Sequence, residues 1–130
     1  MTQDAAESTL YMGEDGIYVR DDGPRAAPAL LLIHGSGSSS RAWEPLVPLL
    51  TRSHRVIRLD LLGHGQSAKP EGPFYGIPEQ ALRAGAVLDR LGITRVIAVG
   101  HSSGGYTATA LAEQRPNLVS ALALINTGPT

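Results

Sequence analysis

Cysteine is missing from this chain of 130 residues. Its absence excludes a disulfide framework, a thiolate nucleophile and a cysteine metal site. Lysine is nearly missing: Lys69 stands alone, and the ten arginines are scattered. With a formal net charge of -1, the chain lacks the clustered basic surface that grips nucleic acid or an anionic membrane. Long apolar runs are missing too. The longest, such as Ala29 to Ile33, fall far short of the roughly 20 residues that span a bilayer. No basic start followed by an apolar stretch opens the sequence, so no signal peptide is expected. The expectation is a soluble, cytoplasmic protein with no nucleic-acid and no membrane partner.

What is present suits one domain with a real core: 42% of residues are hydrophobic and 18% charged, with no repeat, low-complexity tract or linker. A small, polar stretch over 1–8 reads as a flexible N-terminus, and 9–130 as the core domain. Thr9 to Met12 and Ile17 to Arg20 suit two short strands, joined by a turn over Gly13 to Gly16. Asp21 to Pro28 reads as a loop. Ala29 to Ile33 is a continuous apolar run without alternation, as in a strand buried on both faces of a parallel sheet. The same form recurs at Arg55 to Leu59, Arg95 to Val99 and Leu118 to Ile125. Trp43, Leu46, Val47 and Leu50 recur at helical spacing, though Pro48 should shorten or distort that helix. A second helix runs from Pro78 to about Leu91 and stops at Gly92. A third runs from about Ser103 to Gln114. Strands alternating with helices imply an α/β fold, mostly parallel, with the two opening strands as an antiparallel edge.

The sharpest chemical signal is Gly100-His101-Ser102-Ser103-Gly104, a Gly-x-Ser-x-Gly between a strand and a helix. A nucleophile on such a turn projects its hydroxyl from the end of the sheet. Side chains at positions 100 and 104 would collide with neighbouring backbone, so both are glycine. The following helix aims its first N–H groups at the site. The backbone N–H of Ser103 is thus one candidate oxyanion donor. His101, next to the serine on a turn, is expected to be a packed support rather than its base. After the first buried strand, His34-Gly35-Ser36-Gly37 brings backbone close to a substrate oxygen, and the N–H of Ser36 or of Gly37 is the second candidate donor. His34 is expected to hold this loop through its ring nitrogens. The loop lacks the glycine and lysine spacing of a phosphate-binding loop. Asp60, His64 and Ser67 sit on a third glycine loop, read as a shaped structural turn.

Taken together, His34-Gly35-Ser36-Gly37 with Trp43 downstream, Asp60-Leu61-Leu62-Gly63-His64-Gly65-Gln66-Ser67, and Gly100-His101-Ser102-Ser103-Gly104-Gly105 resemble the α/β-hydrolase fold family. The nearest branch is that of esterases, C–C hydrolases and cofactor-free haloperoxidase-like proteins. The motifs stand in family order over nearly the whole chain, from about Thr9 to Thr130. The resemblance implies an eight-stranded sheet whose second strand is antiparallel, with the nucleophile after the fifth strand. It also implies hydrolysis of an ester or similar carbonyl bond of a small molecule through an acyl-enzyme, with no metal and no organic cofactor. In family order an acid and then a histidine follow the nucleophile. Here all four histidines, His34, His54, His64 and His101, precede Ser102, and Glu113 is the one acidic residue after it. The expectation is therefore an incomplete sheet, truncated after about six strands, whose serine has no base on this chain and is inactive alone. The bare edge of the last strand is expected to self-associate. The alternative is a non-catalytic α/β-hydrolase-like ligand-binding module or a decayed fragment.

Overall fold

The computed structural model of the chain describes residues 8–12 and 16–126. The flexible stretch expected over 1–8 and the turn expected over 13–16 lie outside those residues, apart from Ser8 and Gly16. The strands are β1 (Ser8–Met12), β2 (Tyr18–Asp22), β3 (Ala29–Ile33), β4 (Arg55–Leu59), β5 (Val96–His101) and β6 (Val119–Ile125). They form one sheet in the order β1-β2-β4-β3-β5-β6. β2 runs antiparallel to both of its neighbours, and all other pairs are parallel. The helices are α1 (Val47–Leu50), α2 (Ile77–Arg90) and α3 (Gly104–Gln114).

β3 is buried along its whole length, and alternation along it builds the core on two faces. Leu31 and Ile33 join Ala84, Val87 and Leu88 of α2 and Ala108 and Leu111 of α3. Leu30 and Leu32 point the other way, onto Trp43 and Val47. Pro78 opens α2 within its first turn, and Gly92, at φ +73°, follows its end. The helix expected over Trp43 to Leu50 is broken in two. A 3₁₀ turn covers Ser40–Trp43 and α1 spans a single turn, with Pro48 near its start.

Two readings of the sequence need correction. Asp21 and Asp22 belong to β2 rather than to a loop, and both are buried. They are held there by arginines on β4: Arg55 bonds both oxygens of Asp21, and Arg58 bonds Asp22 at 2.8 Å. β4 is thus not a plain apolar strand, since Arg58 is only 2% exposed. Leu118 to Ile125 does not form a strand buried on both faces. In β6 every residue but Val119 is exposed, and among the described residues the strand pairs with β5 alone.

Register places the chemistry. Ile33, Leu59 and Gly100 lie level across β3, β4 and β5. The three glycine-bearing loops that follow these parallel strands therefore leave the sheet at one end, that of the strands' carboxyl termini. Crevices beyond the carboxyl ends of the strands are where open α/β sheets bind ligands.

Candidate active site

Between β5 and α3 the chain turns within two residues. Ser102 adopts φ +56°, a conformation that costs a non-glycine residue about 1–3 kcal/mol. Its side chain is exposed at the sheet's end. Its N–H donates to the Ile125 carbonyl at 2.9 Å, and its own carbonyl accepts the Gly105 N–H at 3.0 Å. A Cβ on Gly100 would lie 2.5 Å from the Gly104 oxygen. One on Gly104 would lie 2.4 Å from the His34 oxygen and 2.5 Å from that of Ile33. Both glycines are therefore dictated by backbone that cannot move aside. α3 starts at Gly104, so its positive end faces this turn.

The loop after β3 meets the same turn. A Cβ on Gly35 would sit 3.2 Å from both the His101 oxygen and the Ser102 Cβ. The N–H of Ser36 donates to Ser103 Oγ at 2.7 Å. The structure thus brings together Ser36, Ser102 and Ser103, the three serines singled out in the sequence. Gly37, at φ +74°, faces open space.

The histidines are occupied elsewhere. His34 is buried, with Nδ1 2.7 Å from the Gly35 carbonyl and Nε2 accepting the Leu61 N–H at 2.9 Å. This pattern requires the neutral ring with its proton on Nδ1. Burial, the largest influence, lowers its pKa below the ordinary value. The ring therefore ties two of the glycine loops together. The His64 ring lies tilted against it, 5.0 Å between centroids, and also contacts the Leu62 carbonyl. His101 packs edge-on against Trp43 at 6.3 Å, and His54 pairs with Ser53 just before β4. Asp60 accepts the N–H groups of Ser40 and Gln66 at 2.7 and 2.9 Å, and Ser67 donates to its carbonyl. These contacts brace the third loop. Glu113 is exposed on α3.

A cavity of about 300 Å³ opens beside the turn, lined by Ser36, Leu61, His64, Lys69, Tyr75, Gln80, Ser103 and Thr107, among others. Sequence reasoning missed Gln80, Tyr75 and Thr107. Gln80 is buried and makes a two-way clamp on Leu62, accepting its N–H and donating to its carbonyl. Its signal was a polar residue on the otherwise apolar stripe of α2. Among the described residues no group of three or more histidines, aspartates or glutamates is placed to hold a metal ion. No helix of the described residues is long and apolar enough to cross a membrane.

A model of the alpha/beta hydrolase fold matches residues 28–130. The chain belongs to the α/β-hydrolase fold family. An uncharacterised protein of Mycobacterium tuberculosis is 44% identical over 103 residues, 79% of this chain and 30% of that one. A 2-hydroxy-6-oxo-2,4-heptadienoate hydrolase of Pseudomonas putida is 36% identical, over 77% of this chain and 37% of its own. Among solved structures, a haloalkane dehalogenase loop variant from Bradyrhizobium elkanii superposes with a TM-score of 0.83 at 34% identity, covering 93% of this chain and 41% of that one. The α/β-hydrolase chain described here thus spans less than half the length of these relatives.

Proposed function

We propose that this α/β-hydrolase chain carries the nucleophile and oxyanion half of a serine hydrolase acting on an ester or similar carbonyl bond of a small molecule. Ser102 attacks the carbonyl carbon and forms an acyl-enzyme. The N–H of Ser103 receives the charge that develops on the carbonyl oxygen, with the Ser36 loop packed beside it. The observation that carries this reading is the strained φ of Ser102, held between two glycines that tolerate no side chain. Strain of this kind persists where the surroundings over-determine it, and it concentrates at reactive positions. The cavity of about 300 Å³ beside the turn has room for the acyl or leaving group of a small substrate. Hydrolase names among the relatives support the broader class, a hydrolase.

The same reading assigns no base to the described residues, because the histidine rings brace loops or pack on Trp43. A serine hydroxyl without a base is a weak nucleophile. The 130-residue chain is therefore expected to turn over no ester by itself, and an acid followed by a histidine is expected beyond Thr130 in the reading frame. In the protein carrying that whole frame, Ser102→Ala abolishes both ester turnover and labelling by a fluorophosphonate probe. Labelling that survives the substitution would put the nucleophile elsewhere. A frame that stops at Thr130, with no labelling, would favour a non-catalytic binding module.

A further inference from the structure

An N–H group carries one proton, and that of Ser36 is aimed at the hydroxyl oxygen of Ser103 at 2.7 Å. Pointed there, it is not free to meet a substrate oxygen as well. The Ser103 hydroxyl keeps a proton of its own, and no acceptor among the described residues takes it. Ser103 is half-buried and lines the cavity beside Ser102. The arrangement is therefore a chain of two donors, Ser36 N–H to Ser103 Oγ–H, with its open end in the cavity. A hydroxyl that accepts a hydrogen bond is polarised into a stronger donor.

We propose that the Ser103 hydroxyl is itself a donor to the oxyanion, so that Ser103 supplies two donors, its N–H and its Oγ–H, while Ser36 positions the hydroxyl. This deepens the serine-hydrolase reading and rests on it. As Ser102 Oγ bonds the carbonyl carbon, the C=O π pair moves onto oxygen, and the Ser102 proton passes to the imidazole base that the serine-hydrolase reading expects elsewhere in the whole reading frame. The new negative charge meets the Ser103 N–H and the Ser103 hydroxyl proton. The hydroxyl is fixed by Ser36 before the reaction begins, so little reorganisation is needed at the transition state.

The test uses the protein with its whole reading frame, p-nitrophenyl acetate as substrate and phenylboronic acid as a tetrahedral analogue. Ser103→Ala keeps every backbone N–H and removes only the hydroxyl. Its kcat should fall about tenfold or more, since deleting an oxyanion donor acts on the transition state. KM should stay within about twofold, the mark of an interaction made only there. Affinity for phenylboronic acid should fall with kcat, and Ser103→Thr, which restores a hydroxyl, should recover most of both. An unchanged or raised kcat in Ser103→Ala would overturn the proposal and make the hydroxyl a plug that substrate displaces. Loss in KM alone would overturn it too. Ser102→Ala, run alongside, separates the two ideas: labelling that persists there sinks the serine reading itself.

Discussion

At Gly104 one added methyl group would press on two carbonyl oxygens at once, those of Ile33 and His34. Backbone on both sides leaves no flexible side chain to yield, so Gly104→Ala should cost about 3 kcal/mol, the upper end of overpacking penalties. Gly37 provides the contrast. It also has positive φ, but a Cβ there meets nothing, so Gly37→Ala should cost only about 1 kcal/mol. Urea midpoints of the two variants check the difference. His34 makes a prediction about pH. Burial lowers its folded pKa below the unfolded value of 6.5. Between those two values the unfolded chain binds a proton that the folded chain refuses, so stability rises with pH there. The contribution of His34 is therefore full above pH 6.5 and is lost as pH falls from 6.5 through the folded pKa. Protonation also removes the acceptor that holds the Leu61 N–H. Thermal melts of the native chain and of His34→Gln, run from pH 8 down to pH 5, should converge in slope only if His34 plays no such part.

Pairing between β2 and β4 sets the element scale. Arg20 and Arg58 stand opposite each other in the antiparallel register, a like-charge arrangement that is unfavourable unless answered. Arg58 is answered by Asp22 at 2.8 Å and by Glu44 at 2.5 Å. The hydrogen bond from Arg58 also holds the Glu44 carboxyl below its ordinary pKa. Removing the arginine takes its paired charge from the buried Asp22 carboxylate, so Arg58→Met should cost about 3–5 kcal/mol. Asp22→Asn combined with Arg58→Met should recover much of that, whereas Glu44→Gln, at an exposed carboxylate, should cost less than about 1 kcal/mol. Equal losses in the three variants would show that charge pairing is not what holds this strand. The same pair of strands marks how far the sequence could be read. Ala29 to Ile33 announces a doubly buried strand because every side chain there is apolar, and Gly92 announces the stop after α2 because glycine favours the left-handed φ that ends a helix. Asp21 and Asp22 read as loop residues because aspartate favours turns when considered locally. Their strand placement depends on arginines 34 and 36 positions away in the chain, and no local pattern encodes that. The bond from Ser36 to Ser103 spans 67 positions and was invisible for the same reason, although the two loops that meet there were each marked by glycines.

Over the whole molecule the two faces of the sheet are unequally covered. α2 and α3 lie over one face along much of its length, while among the described residues the other has only the 3₁₀ turn and the single turn of α1, with Leu46 and Leu49 exposed there. Among the described residues β6 closes the sheet at its far edge with one hydrogen-bonded neighbour, and Leu122, Leu124 and Ile125 stand exposed along it. Unpaired N–H and C=O groups beside exposed aliphatic side chains form a template for another strand. β6 carries no charged residue and no proline to blunt that edge. The 130-residue chain in solution should therefore self-associate through β6, with light scattering after gel filtration giving a mass that rises with concentration. Leu124→Lys places a charge on the exposed edge and should shift the population towards monomer without lowering the melting temperature of the core. A chain that stays monomeric at high concentration and melts in one cooperative step at high temperature would show that this edge is satisfied within the molecule itself.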